Sequence, residues 1–442
     1  MKKLKQLFLT NQFFYSLLGV ATLFTFSFFI KGLLIVAWIV FWIWLAVLAF
    51  DFIVLFSGKG KIEITRIYPE KLSNGDENPM KLMVSSFYPF ATKVDILEEF
   101  PVQLQIRDKD FEATLPAFQR SEISFSLRPT QRGIYQFGRC MALVKRFGFF
   151  KRRFVTNQEQ EIPCYPSYIQ LRKYQLLATS NRLNELGIKR IRRIGSAMEF
   201  DHVREYVQGD DYRHMNWKAS AKVKKLMVNQ YEEEKSQPIY SFIDLGRAMR
   251  MPFNGLTLLD YSINAALVLS NATILKQDRA GLLTFSKDIN AFIAAEKRNN
   301  QMHKISEALY QVSTKFEESE FGRLYSYANA HINKRSLIFV YTNFETLDSL
   351  KRQINYLSML NRSHIIVIVV FKNVEIEELA KSAPKKTIDI YNQVIAEKFI
   401  YEKQLIVQEL IRNGFQTIYT APENLTINSI NKYLEIKARG LI

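Results

Sequence analysis

Two apolar runs dominate the first part of the chain. They extend from Phe13 to Ile30 and from Leu33 to Phe56, and only Lys31 and Asp51 are charged between those limits. One continuous helix of this length would span roughly 65 Å, about twice the hydrocarbon core of a bilayer at roughly 30 Å. The pattern therefore predicts two membrane-spanning helices that reverse at Lys31-Gly32, where glycine can adopt the left-handed backbone of a sharp turn.

A cleaved secretory signal is the alternative explanation for the first run, because residues 1–5 read MKKLK. The run is longer than the apolar region of a signal, no small-x-small pattern follows it, and the second run would still anchor the product. Basic residues precede the pair at 1–5 and follow it at Lys59, Lys61 and Arg66, whereas the turn contains Lys31 alone. Both ends are therefore predicted to be cytoplasmic, in a multi-pass protein of the inner membrane.

Asp51 is the one acidic residue in these runs. An acid within a membrane can mark a proton path, but Asp51 lies close to the end of the second run. It is expected to be hydrated, or paired with a lipid headgroup or a neighbouring lysine.

The pattern of the remaining chain changes twice. Residues 58–165 form short segments rich in β-branched and aromatic residues, separated by turn sequences such as SNGDENP and PTQRG, which predicts an antiparallel β-sandwich-like domain. Residues 166–237 are polar and basic, and are predicted to be a connecting module packed against the last domain. Over residues 238–442 apolar strands alternate with longer helices, which predicts a mostly parallel, doubly wound α/β domain. Residues 1–57 complete the α+β multidomain architecture as the helical hairpin.

The same alternation predicts the individual strands and helices of the last domain. The predicted strands are IYSFIDL, AGLLTFS, INAFIAA, SLIFVYTNF, HIIVIVVF and FQTIYT. The predicted helices include TLLDYSINAALVLSNATIL, QMHKISEALYQV, ETLDSLKRQINYLSML, residues 387–412 and NLTINSINKYLEIKARG.

Charge and cysteine content indicate which kinds of partner and which redox compartment to expect. The net charge of +17 indicates a polyanionic neighbour. Anionic lipid is the simplest choice for a protein held at a bilayer, where each nearby Lys or Arg contributes about 1 kcal/mol. The basic run 189–193, with Lys222, Lys224 and Lys225, could bind nucleic-acid phosphates, but it lacks interleaved aromatic residues and any accompanying motif, so no nucleic-acid partner is expected. Cys140 and Cys164 match no redox or metal motif and indicate a reducing compartment.

The end of the first α/β strand is the first candidate site, since ligands of doubly wound sheets bind beyond the carboxyl ends of strands. Residues 244–249, DLGRAM, resemble the corresponding loop of the von Willebrand factor A-like fold. That family's metal-ion-dependent adhesion site uses Asp-x-Ser-x-Ser, a threonine from a second loop and an aspartate from a third, which together suit a hard divalent cation.

This chain departs from that site at most positions. Gly246 and Ala248 stand where the serines would be, the second loop matched to residues 296–300 has no threonine, and Asn343 replaces the aspartate. We therefore expect no metal and no cofactor. Asp244 is instead expected to accept backbone N–H bonds at the junction of strand and loop.

The connecting module carries a more specific pattern. It comprises Glu199-Phe200, Arg204-Glu205-Tyr206, Gly209-Asp210-Asp211, Arg213, Asn216-Trp217-Lys218, Ser220-Ala221, residues 225–228, Tyr231 and Glu232. This pattern resembles the signature of the bacterial family catalogued as domain of unknown function 58. Together with the hairpin, the β domain with Arg132-Gly133 and Phe147-Gly148, and the A-like domain, the resemblance covers nearly the whole chain. Members often have Asp-Pro before the Phe-Gly pair, whereas Arg146 stands there in this chain.

The resemblance implies a membrane-anchored partner of MoxR-type AAA+ ATPases, acting in assembly, maturation or stress-related remodelling of other proteins. No established enzymatic reaction comes with it. In this view Arg204, Arg213 and Trp217 offer charge and an aromatic anchor to the partner, with Asp210 and Asp211 beside them and Asp244 at the sheet edge.

The acidic turn also has an internal interpretation. Gly209 would make the turn, Asp211 would cap the segment that begins at Tyr212, and Asp210 would pair with a nearby arginine.

No catalytic constellation is visible in the sequence. The five histidines are scattered, no G-x-S-x-G elbow is present, and Gly58-Lys59-Gly60 lacks the spacing of a phosphate-binding loop. The leading hypothesis is therefore a non-enzymatic, membrane-tethered scaffold or adaptor. The alternative is a divalent-metal-dependent hydrolase or nuclease that uses Asp210, Asp211 and Asp244, and metal-dependent adhesion ranks third.

Overall fold

The computed structural model describes residues 6–30, 32–56, 60–107, 110–156, 159–167, 169–172, 198–233, 236–298, 300–314, 316–384 and 386–441. The predictions from charge used Lys31, Lys59, the N-terminal lysines and the basic run 189–193. These residues lie outside the described ranges. The chain forms two compact units, Met1–Tyr165 and Pro166–Ile442.

The first unit begins with two apolar helices, α1 (Asn11–Ser27) and α2 (Leu33–Phe56). The Thr10 hydroxyl caps α1 by accepting the Phe13 N–H. Trp44 Nε1 donates to Ser16 Oγ at 3.0 Å, and the Phe24 ring lies edge-on against Trp38. Early residues of α1 thus meet late residues of α2 and the reverse, so the two helices run in opposite directions.

The two helices differ in length and burial. α2 has 24 residues with a mean hydropathy of 2.8, and only 11% of its most apolar window is buried. α1 has 17 residues, about one turn short of the roughly 20 needed to cross a hydrocarbon core. The other described helix that is long and apolar enough to cross a membrane is Leu258–Leu275, but it is 78% buried inside the second unit.

The rest of the first unit is built of strands. They are β1 (Leu7–Leu9), β2 (Ile62–Ile67), β3 (Leu72–Ser73), β4 (Asn78–Ser86), β5 (Thr92–Glu98), β6 (Asp110–Leu115), β7 (Arg120–Leu127), β8 (Gly133–Phe137), β9 (Cys140–Lys145), β10 (Phe150–Thr156) and β11 (Gln160–Tyr165). Their sheets have the orders β1-β10-β9-β5-β6, β2-β4-β7 and β3-β11-β8, antiparallel except for β3 with β11. Ile64 and Leu82 of one sheet share a buried cluster with Ile96 and Val144 of another, so two sheets face each other.

The last turns of α2 belong to this core. Leu48, Leu55 and Phe56 are buried with the strands, and Arg152 Nη1 donates to the Leu55 carbonyl at 2.9 Å. Asp51 is fully buried and accepts the Phe150 N–H at 3.2 Å. The expectation of a hydrated or lysine-paired Asp51 was wrong, because the β domain folds over this end of the helix and supplies a backbone donor.

The second unit starts, in its described part, with a hairpin of β12 (Met198–Glu205) and β13 (Met227–Glu233), which encloses a 3-10 turn Tyr212–His214 and the short helix α3 (Trp217–Val223). The elements that follow are β14 (Pro238–Asp244), β15 (Pro252–Phe253), β16 (Leu256–Thr257), α4 (Leu258–Leu275), β17 (Arg279–Phe285), β18 (Ile289–Glu296), α5 (Gln301–Tyr310), α6 (Phe321–His331), β19 (Leu337–Tyr341), α7 (Leu347–Ser363), β20 (Ile365–Phe371), α8 (Val374–Lys381), α9 (Thr387–Arg412), β21 (Gln416–Thr420) and α10 (Leu425–Ala438).

One six-stranded sheet organises these elements, in the order β18-β17-β14-β19-β20-β21. All its pairs are parallel except β17 with β18. Two buried clusters cover its two faces: Leu267 and Tyr433 belong to one, Leu357 and Ile406 to the other. Helices therefore lie on both faces, and the predicted mixed α/β fold is confirmed; α6 and α8 were not among the predicted helices.

Candidate functional site at the sheet edge

The candidate site is assembled where two neighbouring parallel strands end. β14 ends at Asp244 and β19 at Tyr341, with Ile243 in register with Tyr341. Asp244 therefore faces the residue that follows β19, and the Thr342 hydroxyl donates to Asp244 Oδ2 at 2.6 Å. The loop after β14 turns back so that the Gly246 N–H donates to Oδ1 at 2.8 Å. The Ser319 hydroxyl also donates to Oδ1.

Asp244 is consequently buried, with three internal donors. Its side chain lies at the base of a cavity of about 240 Å³, and the residue is 4% exposed. Burial raises the pKa of this carboxyl, while the hydrogen bonds from Ser319, Thr342 and Gly246 oppose the rise. The backbone bond from Gly246 is the kind of contact that the sequence predicted for Asp244.

The predicted second loop was wrong. Residues 296–300 were matched to it, but the two hydroxyls that reach Asp244 are those of Thr342, just after β19, and Ser319, in the loop between α5 and α6. A Cβ on residue 246 would collide with Ser319 Oγ, so the close approach of Ser319 depends on glycine at that position. The sequence shows only a serine within an acidic stretch, and nothing local indicates its partner.

A partly buried lysine, also missed in the sequence, completes this edge of the sheet. Lys403 extends from α9, and its Nζ donates to Asn343 Oδ1 at 2.7 Å and to the Phe344 carbonyl. Burial lowers the pKa of Lys403 to about 8, against the opposing charges of Glu345 and Glu402. The lysine also borders a mostly apolar cavity of about 400 Å³ beyond the ends of β19, β20 and β21.

These side chains do not fit a divalent cation. The lone pairs of Asp244 already accept three internal donors, and the amide oxygen of Asn343 accepts an ammonium group where the adhesion site would have a carboxylate ligand. Within the described parts of the chain, no three His, Cys, Asp or Glu side chains are grouped so that they could hold a metal. The hydrogen bonds around Asp244 and Asn343 are those of a polar network whose members satisfy one another.

The acidic turn of the connecting module contains each of the internal contacts weighed for it. Gly209 has a φ of +112°, and the Asp210 carboxylate pairs with Arg204 at 2.6 Å while accepting the Val207 N–H at 2.9 Å. Asp211 caps the 3-10 turn by accepting the Arg213 N–H at 3.0 Å. The hydrogen bond from Arg204 lowers the pKa of Asp210.

The same segment presents aromatic side chains to solvent. Trp217, the first residue of α3, is 69% exposed, and Tyr212 is 72% exposed. The helix is held by Asn216, whose side chain accepts the Ala219 N–H and donates to Asn229 of β13. Trp217 thus projects from a helix that is fixed at its start.

The six predicted site residues fall into two groups. Arg204, Asp210, Asp211, Arg213 and Trp217 belong to the hairpin of β12 and β13 and its insertion, where Asp210 and Asp211 find their partners. Asp244 has its partners in the loop after β14, at Thr342 just after β19, and in the loop between α5 and α6. Each carboxylate is satisfied within its own neighbourhood.

The comparison with family models finds a match in the second unit. Residues 202–397 match the family described as protein of unknown function DUF58. Over these residues the chain is similar to the DUF58 family. The match starts in β12, includes the acidic turn and Trp217, and continues through the sheet into α9, which confirms the family that residues 199–232 indicated.

The comparisons with solved structures and curated proteins give weaker evidence than the family match. The chain is similar to BatB from Bacteroides thetaiotaomicron, with 11% identity over 46% of this chain and 100% of that one, at a TM-score of 0.29. An aerotolerance-related membrane protein from Bacteroides fragilis gives 12% identity, the same coverage and a TM-score of 0.28. The CARDB domain of a Pyrococcus furiosus protein gives 14% identity over 24% of this chain and 93% of that one, at 0.17. These scores are too low to assign a fold or a function. No curated protein matches.

Proposed function

We propose that this DUF58 protein is a non-enzymatic scaffold, held in the inner membrane by a transmembrane helical hairpin, whose von Willebrand factor A-like domain binds a partner protein. The exposed surface of α2 carries the proposal. Trp38, Ile39, Trp42 and Ile43 are each about half exposed or more, along a helix of mean hydropathy 2.8. Water is a poor solvent for so large an apolar surface, and a lipid bilayer is a good one.

The connections of the helices support a hairpin. β1, just before α1, pairs with β10, and α2 ends in the core that β2 and β10 share. Both ends of the helical pair thus return to the same β domain, which supports the proposal that both ends lie on one side of a membrane. The excess of basic residues supports the cytoplasm as that side in this proposal. Arg66 does not contribute to this bias, because its side chain is buried against Glu98.

The partner surface is proposed on the connecting module and the sheet edge. Exposed Trp217 and Tyr212, with Arg204 and Arg213 beside the acidic turn, have the composition of a binding hot spot. The resemblance to the family suggests a MoxR-type AAA+ ATPase as the partner, in protein assembly or a stress response. The alternative of a metal-dependent hydrolase or nuclease gains no support, since Asp210, Asp211 and Asp244 are satisfied separately.

Membrane insertion through α2 is tested by placing charge on its exposed face. The wild-type chain is expected to stay in the membrane pellet after alkaline carbonate extraction. Ile39→Arg with Ile43→Arg puts two guanidinium groups on neighbouring turns, each costing about 2.5–3.5 kcal/mol at the centre of a span, and should shift the chain to the supernatant. Ile134→Arg, at a similarly exposed isoleucine of the β domain, is the matched control and should stay in the pellet. Wild type in the supernatant would refute the anchor.

Partner binding is tested by affinity capture from detergent extracts with the full chain as bait. An AAA+ ATPase should be recovered in at least one nucleotide state. Trp217→Ala should weaken its binding about 30-fold, the equivalent of a hot-spot loss near 2 kcal/mol. Tyr391→Ala, at an aromatic residue of α9 that is also 69% exposed, should leave binding unchanged. Recovery of no ATPase in any nucleotide state, or equal effects of the two substitutions, would contradict the proposal.

A further inference from the structure

Exposed aromatic side chains surround the end of α2 where it enters the β domain. Phe50 of α2 is 58% exposed, and Phe87, Phe118 and Phe147 of the strand connections are 45%, 68% and 48% exposed. With Phe90 and Arg146 they line one cavity of about 470 Å³. We call these five phenylalanines and Arg146 the aromatic apron.

Arg146 lies among these rings without a carboxylate partner of its own. Its guanidinium carbon is 4.1 Å from the centre of the Phe90 ring and 5.2 Å from that of Phe147. Among the described residues no ion pair joins it to an acid. Asp51 is an electrostatic neighbour, but its carboxylate accepts the Phe150 N–H. Arg146 therefore retains charge and donors for a ligand.

The backbone of Phe118 has an unfavourable conformation that holds its side chain outward. Its φ is +55°, in the left-handed region that costs a non-glycine residue about 1–2 kcal/mol, and its N–H donates to the Tyr88 carbonyl at 3.1 Å. The strained turn places an aromatic ring at the tip of the β6–β7 connection, in the cavity wall. An exposed phenylalanine gains nothing from such a position in water.

Helix length brings the apron to the level of the lipid headgroups. α1, with 17 residues, spans about 25 Å. α2 is free of the β domain only up to about Val47, because Leu48 and Leu55 are packed in the core. That free part also spans less than the hydrocarbon core of roughly 30 Å. A bilayer that covers both helices must therefore approach Phe50 and the rings beside it.

We propose that the aromatic apron inserts into the headgroup layer and that Arg146 binds the phosphate of an anionic phospholipid, a proposal that rests on the membrane anchoring proposed above. Aromatic rings are favoured at membrane interfaces, where their apolar bodies meet acyl chains. Guanidinium matches the geometry of phosphate oxygens and is weakly hydrated, so it binds phosphate well in a partly apolar setting. Arg146 makes no ion pair with an acid among the described residues, so its charge favours an anionic lipid over a zwitterionic one.

The test measures binding of short-chain phosphatidylglycerol and phosphatidylcholine to the detergent-solubilised full chain by native mass spectrometry. Wild type should prefer phosphatidylglycerol. Arg146→Gln should weaken that binding about tenfold and remove the preference, and Phe118→Ser should also weaken it. Arg128→Gln is the matched control, at an exposed arginine that donates to the Gly75 carbonyl, and should bind as wild type does. Unreactive Cys140 and Cys164 thiols in each variant would show that the β domain is folded.

If the folded Arg146→Gln variant binds phosphatidylglycerol as well as wild type does, the proposed lipid site is wrong. If that variant still stays in the membrane pellet after carbonate extraction, the proposed membrane anchor is unaffected. Displacement of the lipid by equimolar inorganic phosphate would also overturn it, since the apron should hold glycerol and acyl groups as well. Release of wild type from membranes would instead refute the anchor itself.

Discussion

Arg66→Met is expected to destabilise the β domain by about 3–5 kcal/mol, the usual effect of removing one partner of a buried ion pair. Arg66 Nη2 lies 2.6 Å from Glu98 Oε1, and the two side chains are 4% and 0% exposed. Burial raises the pKa of Glu98, and the charge of Arg66 opposes that rise. Without the arginine, the Glu98 carboxyl stays in a core where no other ion pair among the described residues compensates it.

The chain provides its own reporter for this measurement. Its two cysteines, Cys140 and Cys164, are both buried in the β domain, so the rate of thiol labelling against urea concentration reports the free energy of unfolding of that domain. Arg66→Met with Glu98→Met is the matched control and should recover most of the loss, because two apolar side chains replace the pair. A loss under about 1 kcal/mol, or a double variant no more stable than the single one, would contradict the expectation.

The variant should also respond to pH. A buried acid whose folded pKa is raised takes up protons on folding, so its contribution is most favourable below its ordinary value of 4.5 and is lost as pH rises. Arg66→Met removes the opposing positive charge and raises the folded pKa further. Its stability relative to wild type should therefore fall as pH increases from 4 towards 7, on the order of the values above.

Asp244→Ala should destabilise the α/β domain by about 2–4 kcal/mol, because the Ser319 and Thr342 hydroxyls and the Gly246 N–H lose their shared acceptor in a buried site. Asp244→Asn is the matched control. Its amide oxygen can accept the Gly246 N–H, and its amide nitrogen can donate to a hydroxyl oxygen. Since burial raises the pKa of Asp244, a neutral isostere should cost less than about 1 kcal/mol.

Hydrogen exchange of the β14 and β19 amides in the full chain measures both effects, since these central strands should open only with the domain. Equal losses in the alanine and asparagine variants would show that the charge of Asp244 is required. Protection of wild type but not of Asp244→Asn by Mg²⁺ would show that the carboxylate is a metal ligand. Either result would contradict an internally satisfied network.

Local contacts were accessible from the sequence. α9 begins and ends at the predicted residues 387 and 412, because its apolar positions recur at helical spacing over many turns. The contacts of Gly209, Asp210 and Asp211 join residues no more than six positions apart, and turn and capping chemistry acts over that range.

Apart from the two helices that were not predicted, α6 and α8, the errors concerned contacts over long sequence distances. Asp51 meets Phe150 across 99 positions, Ser319 meets Asp244 across 75, and Lys403 meets Asn343 across 60. Arg66 has the composition of a flanking charge, yet it is buried against Glu98. Side-chain type alone did not distinguish a solvated charge from a buried one.

Periodicity and composition by themselves determined the apolar helices and the alternation of strands and helices, because those properties depend on neighbouring positions. The residue pattern at 199–232 indicated the family by resemblance. Tertiary structure alone decided which polar groups are buried and what satisfies them, since a buried donor or acceptor takes whichever partner the packing of the sheet brings within 3 Å. Asp244 is the clearest case in this chain. The sequence predicted its position at the end of a strand, but it did not predict its three hydrogen-bond donors.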